Sequence, residues 1–107
     1  MRIELTETAR VTLASLAAAG KERPLRINGE LVGGCGMTVE YSLVWDDPLP
    51  QDELHEKEGL CFLLDRETKE FIGAEQLTID YRENQGFRLV TPHQILAYCL
   101  KVKERWL

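Results

Sequence analysis

Residues 25–45 read Leu25-Arg26-Ile27-Asn28-Gly29-Glu30-Leu31-Val32-Gly33-Gly34-Cys35-Gly36-Met37-Thr38-Val39-Glu40-Tyr41-Ser42-Leu43-Val44-Trp45. Pro24 breaks the chain just ahead, and Leu25-Arg26-Ile27 begins an alternating strand. A glycine-rich stretch runs from Gly29 to Gly36. From Val39 to Trp45 apolar and polar residues then alternate at the period of a half-buried strand. Asp46-Asp47-Pro48-Leu49-Pro50 closes the segment with strong turn chemistry.

Working outward, residues 6–19 predict a first helix. Thr6 is placed to cap it, Leu5 to staple it and Gly20 to stop it, with Ala9, Leu13, Leu16 and Ala17 on one face. Gln51 to Glu58 is polar and acidic. Leu60-Cys61-Phe62-Leu63-Leu64 is apolar on both faces, as a central strand would be, and Asp65 stops it. Residues 66–75 have room for a turn and a short helical piece. Leu77-Thr78-Ile79-Asp80-Tyr81 and Phe87-Arg88-Leu89-Val90 predict two strands joined through Asn84-Gln85-Gly86.

The last segment predicts a second helix. Thr91 stands as its N-cap, Pro92 at the first helical position and Gln94 where a capping box would close. Ile95, Cys99, Val102 and Trp106 come next at three- and four-residue spacing, with Leu96 and Leu100 beside them. The order helix, short strands, helix indicates an α+β domain rather than a wound βαβ sheet.

A chain of 107 residues fits one compact domain, residues 1–107, with 44% hydrophobic and 29% charged residues to build a core and a solvated surface. The net charge of -5 lacks the overall basic character of a nucleic-acid binder. No apolar run approaches the roughly 20 residues that span a bilayer, and the N-terminus does not read as a signal peptide. A cytoplasmic location without membrane or nucleic-acid partners is the expectation. Three cysteines, Cys35, Cys61 and Cys99, are widely spaced without a Cys-x-x-Cys, which argues against a disulfide framework or an ordinary zinc finger.

Gly33-Gly34-Cys35-Gly36 is the most informative local feature. Flanking glycines let the backbone bend and leave the thiol unshielded, and nearby amides can hydrogen-bond a thiolate or an anion. Thiolate ligates soft metals, so the loop suits iron or iron–sulfur binding; a tight turn with a small residue is the plainer alternative. Cys99 falls on the apolar stripe of the expected last helix, which favours packing over ligation. Cys61 lies inside an apolar strand and reads as core. His93, at the start of the last helix, would make a mixed site with Cys35 for iron or zinc if it faced that loop, although a surface histidine is the simpler reading. His55 sits among Asp52, Glu53, Glu56 and Glu58, either a cation site or a solvated acidic turn. No Gly-x-Ser-x-Gly, Walker loop or dinucleotide fingerprint appears, so an enzyme is not expected.

Taken in order, several pieces resemble the HesB/IscA-type family, the A-type iron–sulfur carriers. They are Leu5-Thr6-x-x-Ala9, Leu25-Arg26-Ile27, Gly33-Gly34-Cys35, Tyr41-x-Leu43, Gly59 before the strand ending in Asp65, Ile79-Asp80-Tyr81, Gly86-Phe87 and Pro92. The resemblance implies a mixed β-sandwich or flattened barrel with flanking helices. It also implies a role in iron–sulfur cluster biogenesis, contact with assembly or recipient proteins, and self-association. It makes Cys35 one iron or cluster ligand. The family's other two ligands sit in a Cys-Gly-Cys tail after the proline. Counting from Pro92, those positions hold Tyr98 and Leu100, with Cys99 between them, and the Ser-Gly-Phe after the first cysteine is replaced by Gly36-Met37-Thr38. Two functions are compatible with this pattern: a transient iron or cluster binder acting through Cys35, or a degenerate interaction module that binds no metal.

Overall fold

The computed structural model describes residues 1–18, 23–33 and 36–104, with Glu104 by its backbone alone. Strand β1 (Arg2–Leu5) leads into helix α1 (Glu7–Ala18). Next along the chain are β2 (Leu25–Gly33), β3 (Met37–Trp45), β4 (Glu53–Lys57), β5 (Leu60–Leu64), α2 (Arg66–Ile72), β6 (Gln76–Arg82), β7 (Gly86–Val90), β8 (Ile95–Leu100) and β9 (Val102–Glu104). The strands form two mixed sheets, ordered β1-β6-β7-β8 and β4-β5-β2-β3-β9.

One apolar core joins the two sheets. Leu77, Ile79, Phe87 and Leu89 supply it from the first, Leu25, Ile27, Leu43, Phe62 and Leu64 from the second, and Ala9, Leu13 and Ile72 from the helices. In β6, β7 and β3 the buried residues alternate with more exposed ones, the period-2 pattern of a strand with one face inward. β5 lies between β4 and β2, as its continuous apolar run predicts.

Local chemistry explains the helix starts. The Ala9 N–H donates to Thr6 Oγ1 at 3.3 Å, so Thr6 caps α1, and Thr6 Oγ1 in turn donates to Asp80 at 2.8 Å. The expected stop at Gly20 lies outside the described residues. Asp65 caps α2 by accepting the Thr68 N–H at 2.7 Å, and Gly73 ends it in the left-handed conformation. The hairpin expected between β6 and β7 is present, with Asn84 and Gly86 at positive φ.

The amphipathic C-terminal helix is not formed. Residues 95–100 instead pair antiparallel with β7 as β8, and Val102–Glu104 pairs in parallel with β3 as β9. The capping signals at Thr91 are spent on a closed turn. Thr91 Oγ1 accepts the N–H groups of His93 and Gln94 at 3.3 and 3.2 Å, while the Thr91 N–H donates to the Gln94 carbonyl at 2.8 Å. Beyond the turn, β7 and β3 each offer an open edge. Closing both edges with β-favouring residues such as Ile95, Tyr98 and Val102 outweighs the local helical periodicity. Trp106, the last residue of the expected helical face, lies outside the described residues.

Candidate functional site

β2 and β3 pair without interruption from Leu25↔Trp45 to Gly33↔Met37, so Cys35 lies, by sequence position, in the connection between them. Gly34 and Cys35 themselves are outside the described residues. Ile27 and Leu43 at the base are fully buried, whereas Leu31 is 49% and Met37 70% exposed near the tip. The stripe that faces the core at one end of the hairpin is therefore uncovered at the other.

The base of β2 holds a charged cluster that the alternation did not reveal. Arg26, between Leu25 and Ile27, is buried together with Asp46 and the Asp52 side chain. The Asp52 carboxylate drives the Arg26 guanidinium still more strongly towards its charged form, against the cost of burial. The Arg26 hydrogen bonds hold the Asp52 carboxyl below its usual value. A charged residue between two core residues, with an Asp-rich turn after the next strand, was the available signal. The cluster fixes the turn 46–52.

Cys99 is exposed rather than packed. It adopts φ +57, the left-handed region that disfavours a side chain. The reading of Cys99 as part of a buried stripe is thereby corrected: the stripe belonged to a helix that is not there. Cys99 lines a cleft of about 710 Å³ with Trp45, Tyr81, Phe87, Leu100 and Val102 among the described residues. Tyr98 is 70% exposed and Leu100 half-buried, and neither side chain is a thiol.

Cys61 is half-buried in β5, and burial, with a smaller effect from the charge of Glu56, pushes its thiol up, away from thiolate. His93 is exposed in the turn before β8, with its backbone N–H held by Thr91. His55 lies on β4 with Nε2 3.2 Å from Glu53 Oε1, and the other Glu53 oxygen accepts from Lys69 Nζ at 2.9 Å. The Lys69 ammonium holds Glu53 below the ordinary carboxylate range, so that carboxylate already has its cation. Among the described residues no group of three or more His, Cys, Asp or Glu side chains is arranged to hold a metal ion. No helix of the described residues is long and apolar enough to cross a membrane.

The profile of the family described as iron–sulphur cluster biosynthesis matches residues 1–104. The chain belongs to that family. Iron-binding protein IscA of Cronobacter sakazakii is 32% identical over 95 residues, covering 87% of this chain and 88% of the relative. Iron-binding protein IscA of Escherichia coli is 30% identical over the same coverage. Among solved structures, IscA with its [2Fe-2S] cluster is 30% identical, with a TM-score of 0.66 over 84% of this chain and 85% of that one. Escherichia coli SufA, involved in biosynthesis of iron–sulfur clusters, shares the fold at a TM-score of 0.65 and 23% identity, over 85% of this chain and 81% of that one. This member of the iron–sulphur cluster biosynthesis family thus shares the fold of these structures, and its own sequence reads Gly33-Gly34-Cys35 and Tyr98-Cys99-Leu100.

Proposed function

We propose that residues 1–107 act as one HesB-like domain, an accessory protein of iron–sulfur cluster biogenesis that holds iron or a cluster transiently through Cys35. The family match over residues 1–104 supports this reading, and Cys35 falls by sequence position between β2 and β3. Relatives are iron-binding proteins, and one neighbouring structure holds a [2Fe-2S] cluster. A single thiolate is a weak site alone, since iron and zinc sites draw on several ligands. The remaining donors come from a second copy of the chain, from an assembly or recipient protein, or from Cys99 or His93. Such sharing suits hand-over rather than storage, and the protein acts as a carrier, not a catalyst. The reading carries with it a cytoplasmic site of action, where free thiols stay reduced.

Anaerobic reconstitution with iron(II) and sulfide, with absorption spectroscopy and metal analysis as readouts, tests this. Wild-type protein takes up iron and Cys35→Ser does not; equal uptake by the two would overturn the reading. A second reading, an interaction module that holds no metal, is favoured by Tyr98 and Leu100 at the places of the tail thiols. The same experiment decides it, because that reading expects no uptake by either protein.

A further inference from the structure

The chain has two asparagines, Asn28 and Asn84, and only Asn28 is followed by glycine. Glycine carries no side chain to shield its nitrogen, so an Asn-Gly pair is where a main chain most readily attacks its own side chain. In that reaction the Gly29 nitrogen gives up its proton and bonds to Asn28 Cγ, and the side-chain nitrogen leaves as ammonia. Water then opens the resulting five-membered imide at one carbonyl or the other. The products are aspartate and isoaspartate, and the second lengthens the main chain by one carbon.

Ring closure needs the Gly29 nitrogen within bonding distance of Asn28 Cγ, and an extended strand keeps the two apart. Both residues are held in β2, Asn28 opposite Ser42 and Gly29 opposite Tyr41 on β3. Gly29 is buried, and its N–H donates to Oγ1 of the fully buried Thr68 at 3.0 Å. The same hydroxyl donates to the Gly29 carbonyl at 3.5 Å, so one side chain of α2 grips both polar groups of the residue. β5 pairs with β2 only over Leu25–Ile27, and at Gly29 the Thr68 hydroxyl supplies what a neighbouring strand would. Glycine itself is demanded there, because a Cβ would come 3.0 Å from Tyr41 Cε1 and 3.5 Å from Phe71 Cδ2. Packing thus requires the residue that makes Asn28 labile, while Thr68 occupies the nitrogen that would attack.

We propose that Asn28 is a latent deamidation site, shut while Thr68 and β3 hold Gly29 and open whenever β2 leaves the sheet. The change is one-way. Isoaspartate at position 28 puts every later residue of β2 out of register with β3. Molecules that have opened are therefore marked, and those carrying isoaspartate cannot regain the native hairpin.

Wild type, Thr68→Val and Thr68→Ser are aged in mildly alkaline buffer, and wild type also in urea that unfolds it. Peptide mass spectrometry follows aspartate and isoaspartate at position 28. Asn84, exposed in the β6–β7 turn and followed by Gln85, is the reference within each sample. Folding should slow the reaction at Asn28 at least about tenfold relative to urea, and slow Asn84 less. Thr68→Val should raise the folded rate at Asn28 about fivefold, the equivalent of one net hydrogen bond, and Thr68→Ser should stay within about twofold of wild type. Folded wild type that deamidates at Asn28 as fast as in urea overturns the proposal. So does a Thr68→Val protein that melts earlier with its Asn28 rate unchanged. If Thr68→Val does not fold, wild type decides in urea below its unfolding transition. The Asn28 rate should already climb there, and a rate that stays flat up to the transition overturns the proposal.

Discussion

Arg26 meets Asp52 edge to edge, with Nη1 2.8 Å from Oδ1 and Nη2 2.6 Å from Oδ2, while Nε turns to Asp46 Oδ2 at 2.7 Å. The same two carboxylates also accept backbone N–H groups, Asp52 from Leu49 at 2.7 Å and Asp46 from Asp47 at 2.8 Å. One guanidinium in β2 thereby organises the whole turn from Asp46 to Asp52. The planar, forked geometry is what arginine supplies and lysine does not.

Asp52 gives the molecule an acid-sensitive component of stability. Its carboxyl is held below the ordinary value by the Arg26 hydrogen bonds, so on acidification it stays ionised in the folded chain after the unfolded chain has begun to protonate. The contribution is complete above the unfolded value of about 3.9 and is lost as pH falls through the lower, folded value. We expect Asp52→Asn to cost about 3 kcal/mol at neutral pH, as removing one partner of a buried pair does. Its stability should also fall less steeply in acid than that of wild type. Urea unfolding measured from neutral pH down through the carboxylate range reads both; parallel curves would contradict the assignment.

Position 99 should accept glycine better than its own cysteine. At φ +57 a side chain is strained, and glycine adopts that conformation freely. Relief of strain, less the extra freedom of unfolded glycine, should make Cys99→Gly more stable by about 0.5–1 kcal/mol. A higher midpoint in thermal or urea unfolding is the expected result.

Gly86 should tolerate no side chain. It sits at φ +80, and a Cβ there would come 2.7 Å from the Leu100 carbonyl oxygen and 3.2 Å from the Cys99 carbonyl carbon. Both contacts are backbone, so β7 and β8 would have to separate. Gly86→Ala should cost at least about 2 kcal/mol. Equilibrium unfolding checks the cost, and faster amide exchange in β8 would locate it.

The strand at 95–100 can be told from a helix by two aspartates. Leu100 packs against the core, whereas Ile95 is 54% exposed. Leu100→Asp should destabilise by about 3 kcal/mol and Ile95→Asp by less than about 1 kcal/mol. On a helix, Ile95 would share the buried face with Cys99 and Val102 and would be the more damaging site.

Period-2 alternation made β3, β6 and β7 legible, because each keeps one face inward and the sequence repeats that fact every second residue. Asp65 was legible as the end of β5, because a carboxylate after an apolar run reads as a stop. Residues 91–104 were misread for a physical reason. A threonine that closes a short turn and one that caps a helix satisfy the same N–H groups, and only the open edges of β7 and β3 select strand over helix beyond it. Those edges come from distant residues and leave no local trace. Arg26 was hidden likewise, since its two carboxylates lie 20 and 26 positions away. Family membership rested on the spacing of weak pieces from Leu5 to Pro92, which no single residue among them would have established.

The strand pairing also bears on how the chain is made. β1 pairs in parallel with β6, joining Arg2 to Gln76, 74 positions apart, and β3 waits for β9. Helices α1 and α2 and the β2–β3 and β6–β7 hairpins can form from neighbouring residues as they emerge from a ribosome. Neither sheet can be completed until nearly the entire chain is available, and loop closure over such separations slows folding. During synthesis the apolar edge of β3, from Leu43 to Trp45, stays open until residues 102–104 arrive, a window in which a nascent-chain chaperone would have something to cover.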